Sequence, residues 1–201
     1  DFEDIIDDLR SVIDFFEKTE AHIVGLSMGG QIATLFYDKY PNYVKTLTLC
    51  DTHFGLSNLS PTEIEKFINL RKEPLLNGKE PKDIAPIVAS TLIGDINDHS
   101  AYEQLVESMS LLHKESYLKT IESSMRTEHL HIFKNIKVPT LIMVGELDTL
   151  TPPSMSKKIM TDIEGSSLKI IPKAGHLINI EQPKIFNENL MVFLNKAICN
   201  E

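Results

Sequence analysis

Apolar residues change their spacing along this chain, and the changes mark out its elements. From residue 2 to about 18, Ile5, Ile6, Leu9, Val12, Ile13 and Phe16 recur at helical spacing with acids between them, which predicts an amphipathic helix. Ala21-His22-Ile23-Val24 opens a short apolar run that predicts a strand over 21–26. A helical pattern follows over 29–40, stopped by Pro41. Val-Lys-Thr-Leu-Thr-Leu-Cys at 44–50 is rich in branched residues and reads as a second strand. Helix, strand, helix, strand implies parallel strands joined by helical crossovers, hence an α/β fold.

The rhythm changes from about 55 to 134, where helical stretches follow one another with no strand between them. Ser60-Pro61-Thr62-Glu63 starts a helix with a cap, a proline at the first position and a glutamate closing the capping box. Further helices are predicted over 82–92, 100–112 and 114–127. The α/β rhythm then returns: a buried strand over 139–145, a helix over 152–163 capped by Thr151, a strand over 168–171 and a closing helix over 183–198. Ile185, Phe186, Leu190, Phe193 and Leu194 form the apolar face of that last helix. The expected organisation is an α/β core over 1–54, a helical cap over 55–130, and the second part of the core over 131–201.

Composition narrows the function. The chain has 201 residues, 42% hydrophobic and 24% charged, with a formal charge of −9, which argues against a nucleic-acid partner. Two cysteines, Cys50 and Cys199, make no disulfide framework. Cys50 ends a strand and reads as a core residue, and reduced thiols point to a cytoplasmic setting. No apolar run reaches membrane-spanning length. His22 reads as a packing or hydrogen-bonding residue. His129 and His131 alternate without a supporting cysteine or acid cluster, so they are expected to be solvated lobe residues and not metal ligands. Glu146 reads as a loop carboxylate.

The chemistry centres on Gly25-Leu26-Ser27-Met28-Gly29-Gly30, a G-x-S-x-G pattern between a predicted strand and a predicted helix. Such a turn projects the Ser27 hydroxyl clear of the sheet. Gly25 and Gly29 are expected to make room in the turn, and Gly30 to let helix and strand pack closely. A serine hydroxyl needs a base, and the base needs an orienting partner. Asp148 follows the strand over 139–145, and His176 follows the strand over 168–171. The C-terminal ends of parallel strands share one rim, so Ser27, Asp148 and His176 are expected to converge there, with Ser27 as nucleophile and His176 as base. Asp51, past the strand over 44–50, lies on the same rim and is the rival acid. Asp148 is preferred for its motif.

Together, the Ser27 motif, Gly145-Glu146-Leu147-Asp148 with Thr151-Pro152, and Ala174-Gly175-His176-Leu177 resemble the α/β-hydrolase superfamily. The tail from Gly175 through Glu181-Gln182-Pro183 to Phe186-Asn187 resembles the 3-oxoadipate enol-lactonase-like branch, a tail shared by related esterases and carbon–carbon bond hydrolases. The resemblance covers 1–54 and 131–201, and the lobe only by its helical character. It implies hydrolysis of a small ester or lactone with no metal or organic cofactor. It implies an oxyanion hole with the Met28 N–H as one donor, and a second donor from a loop after an earlier strand. No strand pattern precedes the first helix, so further N-terminal strands are expected upstream of Asp1, supplied by a missing segment or a second copy. Arg126 is the lobe cation that lactonase resemblance would set against a substrate carboxylate, with surface salt bridging as the other reading. A carbon–carbon bond hydrolase of the same fold and a ligand-binding protein that kept the triad are the alternative functions.

Overall fold

A computed structural model describes residues 1–55 and 60–199. Four strands form one parallel sheet in the order β1-β2-β3-β4: β1 (Ala21–Leu26), β2 (Val44–Cys50), β3 (Thr140–Gly145) and β4 (Ser167–Ile171). In register, Leu26 pairs with Cys50, Cys50 with Met143, and Gly145 with Ile171. All four strands therefore end along one rim.

Alternation along the strands sorts the core into two layers. Ile23, Leu47, Leu49 and Ile142 face one layer, packed with residues from α1 (Phe2–Phe15), α2 (Met28–Lys39) and α7 (Pro153–Asp162). Cys50, Leu141 and Met143 face the other, packed with Ile185, Phe186, Leu190 and Phe193 of α9 (Pro183–Cys199). Leu194, expected on that apolar face, is half-buried outside the cluster. Among the described residues β1 has one strand partner, and its Val24 is 44% exposed.

Among the described residues, four α-helices lie between β2 and β3: α3 (Pro61–Leu76), α4 (Pro81–Leu92), α5 (His99–Ser110) and α6 (Lys114–Arg126). The start of α3 is the capping box that its sequence predicts: the Ser60 hydroxyl accepts the Glu63 N–H, and the Glu63 carboxylate accepts the Ser60 N–H. Helices α4 and α5 bury Ala85, Ala89, Ile93, Ala101, Leu105 and Met109 in a cluster of their own.

Three local expectations need correction. The first helix ends at Phe15, and Phe16, which kept the periodicity, is 64% exposed. Helix α7 is preceded by Pro152 and takes no side-chain cap from Thr151. His129 is fully buried, with Nε2 2.8 Å from the His53 carbonyl; only His131 is exposed. A four-residue helix, α8 (Ile178–Glu181), is also present.

Candidate active site

Ser27 is the residue after β1 and the N-cap of α2, with φ 54° and ψ −119°. A positive φ strains any residue with a β-carbon, so the surroundings must hold it. They do so from three sides. The Ser27 N–H donates to the Cys50 carbonyl at 2.8 Å. The Ser27 carbonyl accepts the Gly30 N–H at 2.9 Å and the Thr52 hydroxyl at 2.7 Å.

The glycines of the turn divide their work differently from the sequence expectation. A β-carbon on Gly25 would strike the Gly29 carbonyl, and one on Gly30 would meet the Thr52 side chain at 2.6 Å. One on Gly29 would meet nothing. It is the Gly29 carbonyl, not its α-carbon, that crowds β1.

His176 Nε2 lies 2.8 Å from Ser27 Oγ. Its Nδ1 lies 2.9 Å from Asp148 Oδ2. An ionised carboxylate only accepts, so Nδ1 carries the proton and Nε2 is left to accept the Ser27 hydroxyl. Both His176 and Asp148 are buried. Asp148 is itself held by the Thr151 hydroxyl at 2.6 Å on Oδ2, and by the Leu150 and Thr151 N–H groups at 2.8 and 2.9 Å on Oδ1. The hydroxyl expected to cap α7 is committed here instead. Burial alone would raise the Asp148 carboxyl, but the hydrogen bond and charge of His176, with the Thr151 bonds, hold it below the usual range.

Asp51 is fully buried, but its oxygens are turned elsewhere. Oδ1 accepts the Gly145 N–H at 2.8 Å and Oδ2 the Ile178 N–H at 3.4 Å. Burial pushes its carboxyl well above the usual range, against the pull of the Gly145 bond. Asp51 thus ties the end of β3 to the start of α8, while the His176 Nδ1 meets Asp148.

Ser27 opens into a cleft of about 460 Å³. Met28 and Leu150 line it from the rim, and Arg71, Tyr117, Ile121 and Met125 from α3 and α6. Met28 is also the first residue of α2, where helix N–H groups favour negative charge. Arg126 lines a different cleft and is exposed, paired with Glu65 and Glu122. Among the described residues that line the Ser27 cleft is Arg71, whose guanidinium burial pulls downward in pKa. The described lining holds no carboxylate, in a chain of net charge −9.

Sequence reasoning missed a buried polar seam beside the site. Ser124 Oγ donates to Gln31 Oε1 at 2.6 Å, and Gln31 Nε2 lies 3.0 Å from His53 Nε2. Desolvation, with His129 nearby, lowers His53 to about 4. His53 lies three residues past the end of β2 on the site's own rim, which was the available signal. Elsewhere, His22 Nδ1 bonds the Thr46 hydroxyl at 2.9 Å across β1 and β2, and Glu146 accepts the Lys173 N–H at 3.1 Å.

Known proteins resemble this chain in sequence and in fold. A 2-hydroxy-6-oxononadienedioate/2-hydroxy-6-oxononatrienedioate hydrolase of Escherichia coli (strain K12) is 29% identical over 194 residues, covering 92% of this chain and 66% of that protein. A hydrolase of the same name from Cupriavidus pinatubonensis is 28% identical over 193 residues, with the same coverage of 92% and 66%. The chain thus spans just under two thirds of the length of these curated relatives. Among solved structures, a thermophilic esterase from Thermogutta terrifontis, with malate bound, is 25% identical with a TM-score of 0.87, covering 98% of this chain and 72% of that one. The family profile described as alpha/beta hydrolase fold matches residues 1–183, and the chain belongs to that family.

Proposed function

We propose that Ser27, His176 and Asp148 form the hydrolytic centre of an enzyme that cleaves a carbon–carbon bond in a small conjugated keto-enol acid. The observation that carries this is the relay of 2.9 Å from Asp148 to His176 and 2.8 Å from His176 to Ser27, opening into a cleft lined by α3 and α6. The curated relatives turn the choice of bond from ester or lactone, to which the tail motif points, to carbon–carbon.

In this reading the helices over 55–130 act as a cap and the cleft holds the substrate. The Ser27 hydroxyl adds to a ketone carbon while His176 Nε2 takes its proton. Negative charge forms on the carbonyl oxygen, and the Met28 N–H at the start of α2 is the proposed donor to it. The substrate's enol proton first moves to the next carbon, leaving a ketone at the far end of the conjugated chain. When the bond to that carbon breaks, its electron pair therefore passes into the enone, and the resulting dienolate oxygen takes the proton held by His176. Water activated by His176 then releases the acyl group as an acid. Asp148 keeps the imidazole in the required tautomer. Arg71, and not Arg126, is the cation placed to meet a substrate carboxylate.

Ester hydrolysis by the same centre is the second reading, favoured by the likeness to the Thermogutta esterase. The two part in one assay. The purified protein is given a 2-hydroxy-6-oxo-dienoic acid and a p-nitrophenyl ester, and a larger kcat/KM for the first is expected. The reverse ranking makes it an esterase, and binding of either without product makes it a ligand-binding protein. Ser27→Ala should abolish fluorophosphonate labelling and lower kcat on the order of 10⁴-fold or more. Wild-type turnover by that variant would end the assignment of Ser27.

A further inference from the structure

One side chain, beside direct backbone contacts, ties the loop that carries His176 to the helical insertion. Glu181 is 6% exposed, and its carboxylate turns back over the loop. Oε1 accepts the N–H groups of Gly175 at 3.0 Å and Leu177 at 3.1 Å, the residues on either side of His176. Oε2 accepts the Gly175 N–H at 2.9 Å and, from the far end of α4, the Gly94 N–H at 2.7 Å. The His176 N–H itself donates to the Leu92 carbonyl at 2.8 Å. Backbone lies directly on backbone here. A β-carbon on Gly94 would fall 2.5 Å from the Gly175 nitrogen, and one on Gly175 would strike the Gly94 nitrogen. Leu177 and Ile180 continue the contact by packing on the α4–α5 cluster.

We propose that Glu181 is a positioning residue that makes the seating of the insertion and the aim of His176 one mechanical event. This rests on the reading of Ser27 and His176 as the hydrolytic pair. The same two oxygens set the backbone on both sides of the imidazole and hold Gly94, two residues past the end of α4. A shift of the insertion therefore rotates His176 Nε2 away from Ser27, and a bound substrate that seats the insertion also aims the base. Sequence could not show this, because Gly94 lies 87 residues from Glu181.

Glu181→Gln keeps the shape of the side chain, but its amide nitrogen cannot accept, so either the Gly94 or the Leu177 N–H loses its partner. Small misplacement of reacting groups is costly, so kcat should fall about 10- to 100-fold while KM moves less than about threefold. Fluorophosphonate labelling of Ser27, measured per folded molecule, should slow in parallel. Ile13→Val, buried in α1 away from this contact, should lower the melting temperature without moving kcat. Gly94→Ala leaves Glu181 in place and pries the two backbones apart, and it should reproduce the kinetic defect; it also decides the matter if Glu181→Gln does not fold. Variants that melt lower but keep wild-type kcat and labelling would make the clamp merely structural and overturn the proposal. If wild type is not labelled at all, the hydrolytic reading falls, and amide exchange decides the clamp. Faster exchange in Glu181→Gln at both Gly94 and residues 175–177 upholds the coupling, and unchanged exchange overturns it.

Discussion

What a carboxylate does at this rim depends on which donors reach its oxygens. Asp148 and Asp51 both follow strand ends, and both are buried. Asp148 presents Oδ2 to His176 Nδ1, while Asp51 spends its oxygens on the Gly145 and Ile178 N–H groups. Asp148→Asn should therefore lower kcat on the order of 10⁴-fold, because an amide facing Nδ1 favours the wrong tautomer. Asp51→Asn should lower the melting temperature, since its amide nitrogen must face a backbone donor, but keep kcat within about tenfold of wild type. Steady-state kinetics and thermal melts on both variants check this, and the reverse kinetic ranking would move the acid to Asp51. The positions of Ser27, Asp148 and His176 past strand ends were legible in the sequence because parallel strands share a rim. The second partners were not. Thr151 reads in sequence as a helix cap and in the fold bonds an acid. Arg71 of α3 and Arg126 of α6 are told apart by the clefts their helices turn them to, which a sequence does not state.

At the scale of the element, the turn at Ser27 shows how a motif can be right in place and wrong in detail. The pattern puts glycine at both 25 and 29, and the structure needs only the first for space. Gly25→Ala sets a β-carbon against the Gly29 carbonyl, which is backbone and cannot yield without moving α2. That variant should lose labelling of Ser27 even where it folds. Gly29→Ala meets nothing and sits in the first turn of α2. It should keep labelling and gain roughly 0.5–1 kcal/mol from helix propensity, read by urea unfolding. Destabilisation by Gly29→Ala, or full labelling in Gly25→Ala, would contradict this division of space between the two glycines. The longer elements were legible because their apolar periods are sustained: each strand, and each long helix other than α3, of which only the start was read, lies within a few residues of its predicted span. Helix α8 was not, since four residues carry no period.

For the whole molecule, the division of labour is between two apolar layers that hold the sheet and a few buried polar groups that fasten the insertion to it. Gln31 of α2 meets Ser124 of α6, and His53 joins them at 6% exposure. The apolar layers are insensitive to pH, and this seam is not. Desolvation, with His129 close by, holds His53 at about 4 against 6.5 when free. Between those values the unfolded chain binds more protons than the folded one, so stability is full above pH 6.5 and falls as pH drops towards 4. By linkage the loss at pH 4 is on the order of 3 kcal/mol from His53. His129, lowered by the same burial, adds to it in the same direction. Asp51 works the other way, because its raised carboxyl favours the folded state in acid and that gain is lost as pH rises through its folded value. Wild type alone therefore reports a mixture, and the informative quantity is its difference from His53→Asn. Urea unfolding of both proteins at several values between pH 4 and 7 should show the variant with the shallower loss of stability on acidification, whatever its absolute stability. Parallel curves would mean that His53 takes up its proton in the folded state as readily as in the unfolded one, and that the seam joining α2 to α6 is open to water.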